Sequence, residues 1–274
     1  PDATAALIYS VFYCGIYVLS LVGGIIADRT QNYKGTIQKG LIIMALGYVC
    51  LSIPITSTSA NTSWLLPFTC TALFLIAFGN GLFKGNLQAM VGQLYDNYEA
   101  EEAKKGPEAL EKAKGQRDSG FQIFYVFINV GGLIAPFVAP ILRSWWLKSH
   151  DLVYNAGLPS LCHQYIDNGG NIGAEQMANL TSLAQQVTIS GAAAVSMDFC
   201  QNYLQIFNEG VHYSFIASVA AMLISLTIFL ITKKTLPEPA KKAAKEEKEE
   251  AAEKPAKKPA AKKAPAKKAE EKAE

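Results

Sequence analysis

One lysine stands inside a long uncharged stretch of the sequence. The segment GNGLFKGN, residues 79–86, contains Lys84, which is the only charged residue between Lys39 and Asp96. An ammonium group within a membrane span is costly and usually faces a water-filled cavity where it serves a function. The alternative is snorkelling, in which Gly85 and Asn86 end the helix and the amine reaches the membrane interface.

Two more polar side chains have the same predicted depth as this lysine. Tyr17, Lys84 and Asn129 each lie eleven or twelve residues from the first acidic residue at the charged end of their apolar block. At about 1.5 Å rise per residue, each lies roughly 17 Å from that end, near the middle of a bilayer. Tyr17 alone is compatible with a helix core and Asn129 alone with an interhelical hydrogen bond. Together they predict a site made of a phenol, an ammonium and a carboxamide.

The elements that would position these residues are apolar blocks long enough to cross about 30 Å of hydrocarbon. Half of the 274 residues are hydrophobic, and they cluster in long runs rather than in short alternations. The sequence therefore predicts an all-α membrane protein with five transmembrane helices. The predicted spans are residues 5–27, 36–56, 65–95, 119–146 and 211–232.

The basic residues predict the orientation of the spans, because short cytoplasmic links are rich in Lys and Arg. The links at 28–35 and 96–118 are basic and are predicted to be cytoplasmic, whereas residues 56–64 carry no charge and are predicted to face outward. Residues 148–210, called the long link below, are predicted to be extracytoplasmic. With residues 233–274 inside, five spans leave the N-terminus outside. An additional helix upstream would explain this, so we expect the chain to be part of a longer protein.

The long link exceeds an ordinary connection in length, and it contains two cysteines outside the spans. Apolar residues at helical spacing predict a surface helix over 173–187. In an oxidising compartment Cys162 and Cys200 could form a disulfide, but two unpaired thiols are equally compatible with the sequence. The three histidines have no ligand-like spacing, so the sequence predicts neither a metal site nor a cofactor.

The C-terminal residues 233–274 form a charged, low-complexity tail. They contain 14 of the 25 Lys and Arg of the chain, together with many Ala, Pro and Glu. This composition cannot form a core and predicts a disordered cytoplasmic tail or linker. Attraction to anionic lipid is an alternative, which the interspersed acids weaken. The same acids dilute the field that a phosphate backbone would feel, so nucleic-acid binding is not predicted.

The run GGIIADR, residues 23–29, resembles the loop signature between the second and third helices of the major facilitator superfamily. In that signature a glycine is followed four residues later by an aspartate and then by a basic residue; here these are Gly24, Asp28 and Arg29. The glycine usual just after the basic residue is absent from the following TQNYKG. The resemblance implies that Gly24, Asp28 and Arg29 belong to a cytoplasmic gate.

Two longer motifs resemble the proton-dependent oligopeptide transporters of that superfamily. FYVFINVGGL, residues 124–133, matches F-Y-x-x-I-N-x-G-S-L except that Gly132 replaces Ser. GNGLFKGNLQAMVGQLY keeps G-x-G-x-x-K-P-N followed by G-x-L-Y, with Gly85 in place of Pro. The resemblance covers residues 1 to about 236 and aligns the five spans with the second to sixth helices of the N-terminal bundle.

The resemblance implies a bacterial inner-membrane symporter of di- and tripeptides with protons, and no enzyme. Lys84 would couple the proton to the peptide carboxylate, Asn129 would hydrogen-bond the peptide, and Tyr17 and Tyr125 would line the site. The first helix with its E-x-x-E-R motif and the C-terminal helical bundle do not occur in these residues, so the chain alone is expected not to transport. Two alternatives remain open: a facilitator of another substrate, such as a drug or a sugar, and a membrane anchor with a lipid-binding tail.

Overall fold

The computed structural model of the chain describes residues 2–56, 61–191 and 194–237, and it is built from helices. This part of the chain contains seven helices and no strand; one isolated antiparallel bridge joins Leu152 and Thr188. The helices are α1 (Asp2–Thr30), α2 (Tyr33–Ser52), α3 (Thr62–Ala103), α4 (Pro107–Ser149), α5 (Leu158–Asp167), α6 (Ala174–Val187) and α7 (Met197–Thr232).

Five of these helices are long and apolar enough to cross a membrane. They are α1, α2, α3, α4 and α7, which confirms the five predicted spans and the all-α membrane class. The other two, α5 and α6, lie in the long link, and α6 confirms the helix predicted over 173–187. The chain is therefore a multi-pass membrane protein.

Three of the spanning helices, α3, α4 and α7, are longer than the sequence predicts by more than ten residues each. The link at 96–118 is a helical hairpin, because α3 runs on to Ala103 and α4 starts at Pro107. Gly106 adopts a φ of 128°, which a residue with a side chain rarely adopts, and Pro107 presets the first helical φ. The third, α7, begins at Met197 rather than at 211, because its first turns are amphipathic and pack in the long link instead of entering hydrocarbon.

Glycines bring α1 and α2 into backbone contact with α3. A Cβ atom on Gly23 of α1 would lie 2.2 Å from the carbonyl oxygen of Gly81 in α3, and one on Gly81 would lie 2.5 Å from the backbone of Leu19. On the other side of α3, a Cβ on Gly79 would lie 2.6 Å from the carbonyl oxygen of Gly40 in α2. Small residues permit such close approach, which favours helix association where lipid and side chains are equally apolar.

The remaining spans complete a ring in which α2 packs on α3, α3 on α4, α4 on α7 and α7 on α2. Polar contacts fix α7 at several levels. His212 shares a hydrogen bond with the carbonyl oxygen of Leu51 at the end of α2, at 2.5 Å. Ser214 donates to the carbonyl of Ala139 in α4 at 3.0 Å, and Lys233 donates to the Gln38 side chain in α2 at 3.2 Å. Leaving α1 aside, the spans thus form a closed arrangement.

The long link has a hydrophobic core of its own. Its first residues are joined to the end of α6 by backbone hydrogen bonds from Val153 to Val187, 2.7 Å, and from Ile189 to Asp151, 3.0 Å. The core between α5, α6 and the first turns of α7 consists of fully or nearly fully buried side chains. They are Leu147, Leu152, Leu158, Cys162, Leu180, Val187, Cys200, Tyr203 and Ile206. The long link is therefore a small folded unit on the ends of α4 and α7.

The predicted tail lies almost wholly outside the described residues, which end at residue 237. Its first residues, Lys233 and Lys234, follow α7 directly, and the backbone amide of Lys233 caps that helix through the carbonyl of Phe229.

Candidate functional site

The predicted lysine and tyrosine are in contact. Lys84 of α3 places its Nζ atom 5.4 Å from the centroid of the Tyr17 ring of α1. An ammonium over an aromatic ring at this distance gains about 0.5–1 kcal/mol where both groups are exposed. Both side chains are exposed, Tyr17 to 58 %. Within the described part of the chain Lys84 forms no ion pair, so its charge is available to a carboxylate.

The glycine contacts and one buried amide set the register that produces this pair. Asn86 is only 1 % exposed, and its Nδ2 donates to the Gly23 carbonyl of α1 at 3.1 Å and to the Leu82 carbonyl at 2.9 Å. A buried amide with satisfied hydrogen bonds stabilises one arrangement, because sliding the helices would break its bond to Gly23 and keep only the bond within α3. Asn86 lies two residues after Lys84, and it therefore holds α3 on α1 at the height where Lys84 meets Tyr17.

Asn129 lies on α4, and the register of the α3–α4 hairpin gives its height. A Cβ on Gly92 of α3 would lie 3.9 Å from the Phe121 ring of α4, so these two residues face each other. Asn129 follows Phe121 by as many residues as Lys84 precedes Gly92. In antiparallel helices of equal rise, this brings Asn129 to about the level of Lys84.

Equal height does not bring these side chains into contact. Asn129 and Tyr125 are exposed, and no hydrogen bond joins either side chain to another described residue. The ring of Tyr125 lies beside that of the neighbouring Phe124, with centroids 5.8 Å apart. Of the four residues predicted to bind substrate, the structure joins Tyr17 to Lys84 and leaves Asn129 and Tyr125 apart from them.

The predicted gate residues lie where α1 turns into α2. Asp28 accepts a hydrogen bond from the hydroxyl of Tyr33 at the start of α2. Arg29 is exposed and forms no ion pair with any residue in the described ranges. A Cβ on Gly24 would meet nothing within 4 Å, unlike one on the neighbouring Gly23. Gln31 has a φ of 52° at the turn, where the signature has its glycine.

A second set of charges joins the two arms of the α3–α4 hairpin. Arg117 of α4 donates to Asp96 of α3 at 2.5 Å and reaches Glu99 at 3.5 Å. Next to this ion pair along the hairpin, the rings of Tyr95 in α3 and Phe121 in α4 have their centroids 6.1 Å apart. Because these groups are partly exposed, the pairing fixes register more than it adds stability.

Cys162 and Cys200 are neighbours in the core of the long link. Both are fully buried as free thiols, and one hydrogen-bonds the other. Burial raises the pKa of the Cys162 thiol far above its ordinary value, with a smaller contribution from Cys200. The structure thus brings the two cysteines together. In the described residues no group of three or more His, Cys, Asp and Glu could hold a metal ion.

Two features of the site were not predicted from the sequence. The sequence suggested Asn86 only as part of a possible helix end, whereas it lies inside a continuous α3 and binds α1. Tyr9 and Tyr13 stack in line with Tyr17, with centroid separations of 5.8 and 5.7 Å. The four-residue spacing of the three tyrosines was visible in the sequence and could have indicated a shared helix face.

The POT family, PTR2, matches residues 34–248. The chain belongs to the POT family. The match begins after the GGIIADR run, so it does not depend on that signature.

Relatives in the POT family come from several bacteria. A di-/tripeptide transporter of Lactococcus lactis subsp. cremoris is 37 % identical over 138 residues, covering 50 % of this chain and 23 % of the relative. A peptide transporter of Yersinia enterocolitica is 31 % identical over 158 residues, covering 58 % and 26 %. A di-/tripeptide transporter of Lactobacillus helveticus is 34 % identical over 139 residues, covering 51 % and 23 %. These relatives are transporters rather than enzymes.

The matched regions are a minor part of those proteins. The chain spans about a quarter of the length of the curated relatives it matches. No solved structure matches the chain.

Proposed function

We propose that this chain supplies part of a bacterial inner-membrane transporter that carries di- and tripeptides together with protons by alternating access. It would act with a C-terminal helical bundle, because alternating access requires two units that rock around a shared central site. The proposal is supported by membership of the POT family and by relatives named as di-/tripeptide transporters. In this account the chain has a transport role and no catalytic one.

The observation that carries the proposal is the exposed Lys84 ammonium over the Tyr17 ring. A peptide presents a carboxylate, and an ammonium without an acidic partner in the described residues can bind it. An amine donates to a carboxylate as an ammonium only when it is protonated, so a peptide at Lys84 would bind together with a proton. Lys84 would in this way couple the peptide to the proton.

The remaining predicted residues have supporting parts in this proposal. Asn129 and Tyr125 of α4 would hydrogen-bond the peptide when α4 approaches α1 and α3 in another conformation. Asp28, Arg29 and Gly24 would form part of the cytoplasmic gate, with the Tyr33–Asp28 hydrogen bond tying α1 to α2. The long link would face the outside, and the tail that follows Lys233 would face the cytoplasm.

The test is uptake by the complete gene product in liposomes with an acidic exterior. We expect radiolabelled dialanine to accumulate, and a sugar of similar size not to. Replacing Lys84 by Gln keeps a polar side chain and removes the charge, and gradient-driven uptake should then fall about ten- to hundredfold, in the range of a lost charge-assisted contact. Accumulation of the sugar instead of the peptide, or full uptake by the K84Q variant, would contradict the proposal.

A further inference from the structure

Two cysteines meet in the core of the long link. Cys162 lies on α5 and Cys200 on the first turns of α7, 38 residues further along the chain. Both side chains are fully buried, and one thiol hydrogen-bonds the other. The packing of α5 on α7 brings the two residues together. Their proximity is therefore a property of the fold and not of a local turn.

The pair lies where the long link is attached to a membrane span. Among the described helices, α6 packs on α5, and α5 packs on α7, which continues as a spanning helix. Backbone hydrogen bonds between residues 151–153 and 187–189 hold the other side of the segment. A covalent bond between α5 and α7 would therefore secure both helices of the long link on the span.

A unit of this size gains from a crosslink. A unit of about sixty residues buries a smaller part of its surface than a larger domain and is only marginally stable. A disulfide stabilises mainly by restricting the unfolded chain, and the effect increases with the length of the closed loop. The loop from Cys162 to Cys200 contains the whole of α6. Small units that fold in an oxidising compartment commonly use disulfides for this purpose.

Burial determines when such a bond can form. The thiolate is the form of cysteine that attacks a disulfide, and burial raises the pKa of the Cys162 thiol far above its ordinary value. An oxidant also has no access to the pair in the folded core, because neither side chain is exposed. The bond would therefore have to form while the segment folds, before α5 closes on α7.

We infer that Cys162 and Cys200 form a disulfide as the long link folds on the outer side of the membrane. The two thiols lose their protons and one S–S bond forms between the sulfurs. The two electrons pass to the disulfide of a thiol oxidoreductase, which takes up two protons and becomes two thiols. The inference rests on the outward orientation of the long link, which is part of the proposed function, and it requires no substrate.

The experiment identifies labelled cysteines by mass spectrometry in the complete gene product, isolated from membranes without reductant and denatured in the presence of iodoacetamide. We expect Cys14, Cys50 and Cys70 to be labelled directly, because each lies within a span, out of reach of a soluble oxidoreductase. Cys162 and Cys200 should be labelled only after reduction. Labelling of these two residues in the unreduced wild-type protein would overturn the inference.

Single substitutions distinguish a bond between these two cysteines from other oxidation. In Cys162→Ala, Cys200 should be labelled without reduction, and in Cys200→Ala the same should hold for Cys162. Cys14→Ala, at an exposed position in α1, is the matched control and should leave both cysteines protected. If Cys200 stays protected in Cys162→Ala, its partner is another group and the inference is wrong.

The rate of reduction tests the burial on which the inference depends. Reduction of a buried bond requires the core to open, so dithiothreitol should free Cys162 and Cys200 at least about tenfold more slowly in the native protein than after denaturation. Equal rates in the two states would place the bond at an accessible surface and contradict the inference.

One more variant separates the disulfide from the orientation and from transport. Ile189→Cys adds a thiol at an exposed position of the long link, in a gene product whose native cysteines are replaced by alanine. A membrane-impermeant maleimide should label it in intact spheroplasts. If it does but the wild-type pair is unbonded, the disulfide is wrong and the orientation stands. If labelling requires opened membranes, both are overturned. Dialanine uptake is measured separately, because the disulfide requires no substrate.

Discussion

The contact between α1 and α3 and the core of the long link are two regions of one chain that pack in different ways. Between α1 and α3, glycines such as Gly23 and Gly81 bring backbones together, and the buried Asn86 amide spans the contact. In the long link, large side chains such as Tyr203 and Leu158 fill the space between the helices.

The difference follows from the surroundings of each region. Lipid tails are as apolar as leucine, so close packing and interhelical hydrogen bonds hold membrane helices together. The long link lies beyond the predicted spans, where burial of apolar area drives folding. Adding one methyl group should therefore damage the α1–α3 contact, whereas removing a large side chain should damage the long link.

The largest effect is expected in the long link. Tyr203 is fully buried, and its hydroxyl accepts a hydrogen bond from the backbone N–H of Asn155 at 3.3 Å. Tyr203→Ala should cost about 3–5 kcal/mol, as for other large aromatic residues truncated in a core. The readout is faster iodoacetamide labelling of Cys162 under native, reducing conditions. Ile189→Ala, at an exposed position in the same segment, should leave the labelling rate unchanged; equal effects would refute a packed core.

The next effect is overpacking between α1 and α3. In Gly81→Ala the new methyl group would lie 2.5 Å from the backbone of Leu19, which cannot move aside as a side chain could. We expect a loss of about 1–3 kcal/mol, measured as a lower unfolding temperature in detergent. Gly131→Ala in α4 meets open space and should be neutral or stabilising by up to about 1 kcal/mol. If both variants unfold at the wild-type temperature, the contact is not as close as described.

Two asparagines of α3 allow a comparison between a buried amide that forms hydrogen bonds and a buried amide oxygen that forms none in the described residues. Asn86→Leu removes the hydrogen bond to the Gly23 carbonyl of α1 and the bond to Leu82 within α3, at a cost of about 1–3 kcal/mol. The Asn80 Oδ1 atom is buried without a partner in the described residues, so Asn80→Leu should cost less or stabilise. Unfolding temperatures of the two variants decide this, and a larger loss for Asn80→Leu would contradict the role given to Asn86.

The smallest effect is expected at the turn between α1 and α2. Gln31 has a φ of 52°, a conformation that glycine adopts without steric cost. Gln31→Gly should therefore stabilise the protein by at most about 1 kcal/mol. A slightly higher unfolding temperature is expected, and a clear decrease would show that the Gln31 side chain, which donates to the Asp28 carbonyl at 2.8 Å, contributes more than the backbone strain costs.

The sequence predicted the five spans because apolar length is sufficient evidence for a membrane helix. Counting residues along each helix predicted that Lys84 and Tyr17 lie at the same depth, and the structure places these two residues in contact. Distance along a helix does not determine rotation, however. The register of the α3–α4 hairpin therefore brings Asn129 to about the height of Lys84. The rotation of α4 nevertheless leaves the Asn129 side chain exposed and out of contact with Lys84.

The features that the sequence did not predict depend on partners distant in the chain. Asn86 acquires its role from the Gly23 carbonyl, 63 residues away. The early start of α7 at Met197 depends on the core that α5 and α6 provide. The sequence is compatible with Cys162 and Cys200 either paired or unpaired, because spacing cannot place two side chains; the fold brings them together.

In the proposed transporter Lys84 lies at mid-membrane, on a surface that faces water and receives the peptide carboxylate. This is tested by Lys84→Cys in a complete gene product whose native cysteines are replaced by serine. We expect a membrane-impermeant methanethiosulfonate reagent to label this thiol in intact proteoliposomes, and aminoethyl methanethiosulfonate, which restores an ammonium at this position, to recover part of the dialanine uptake. No labelling, or labelling that restores no dialanine uptake, would contradict the proposal.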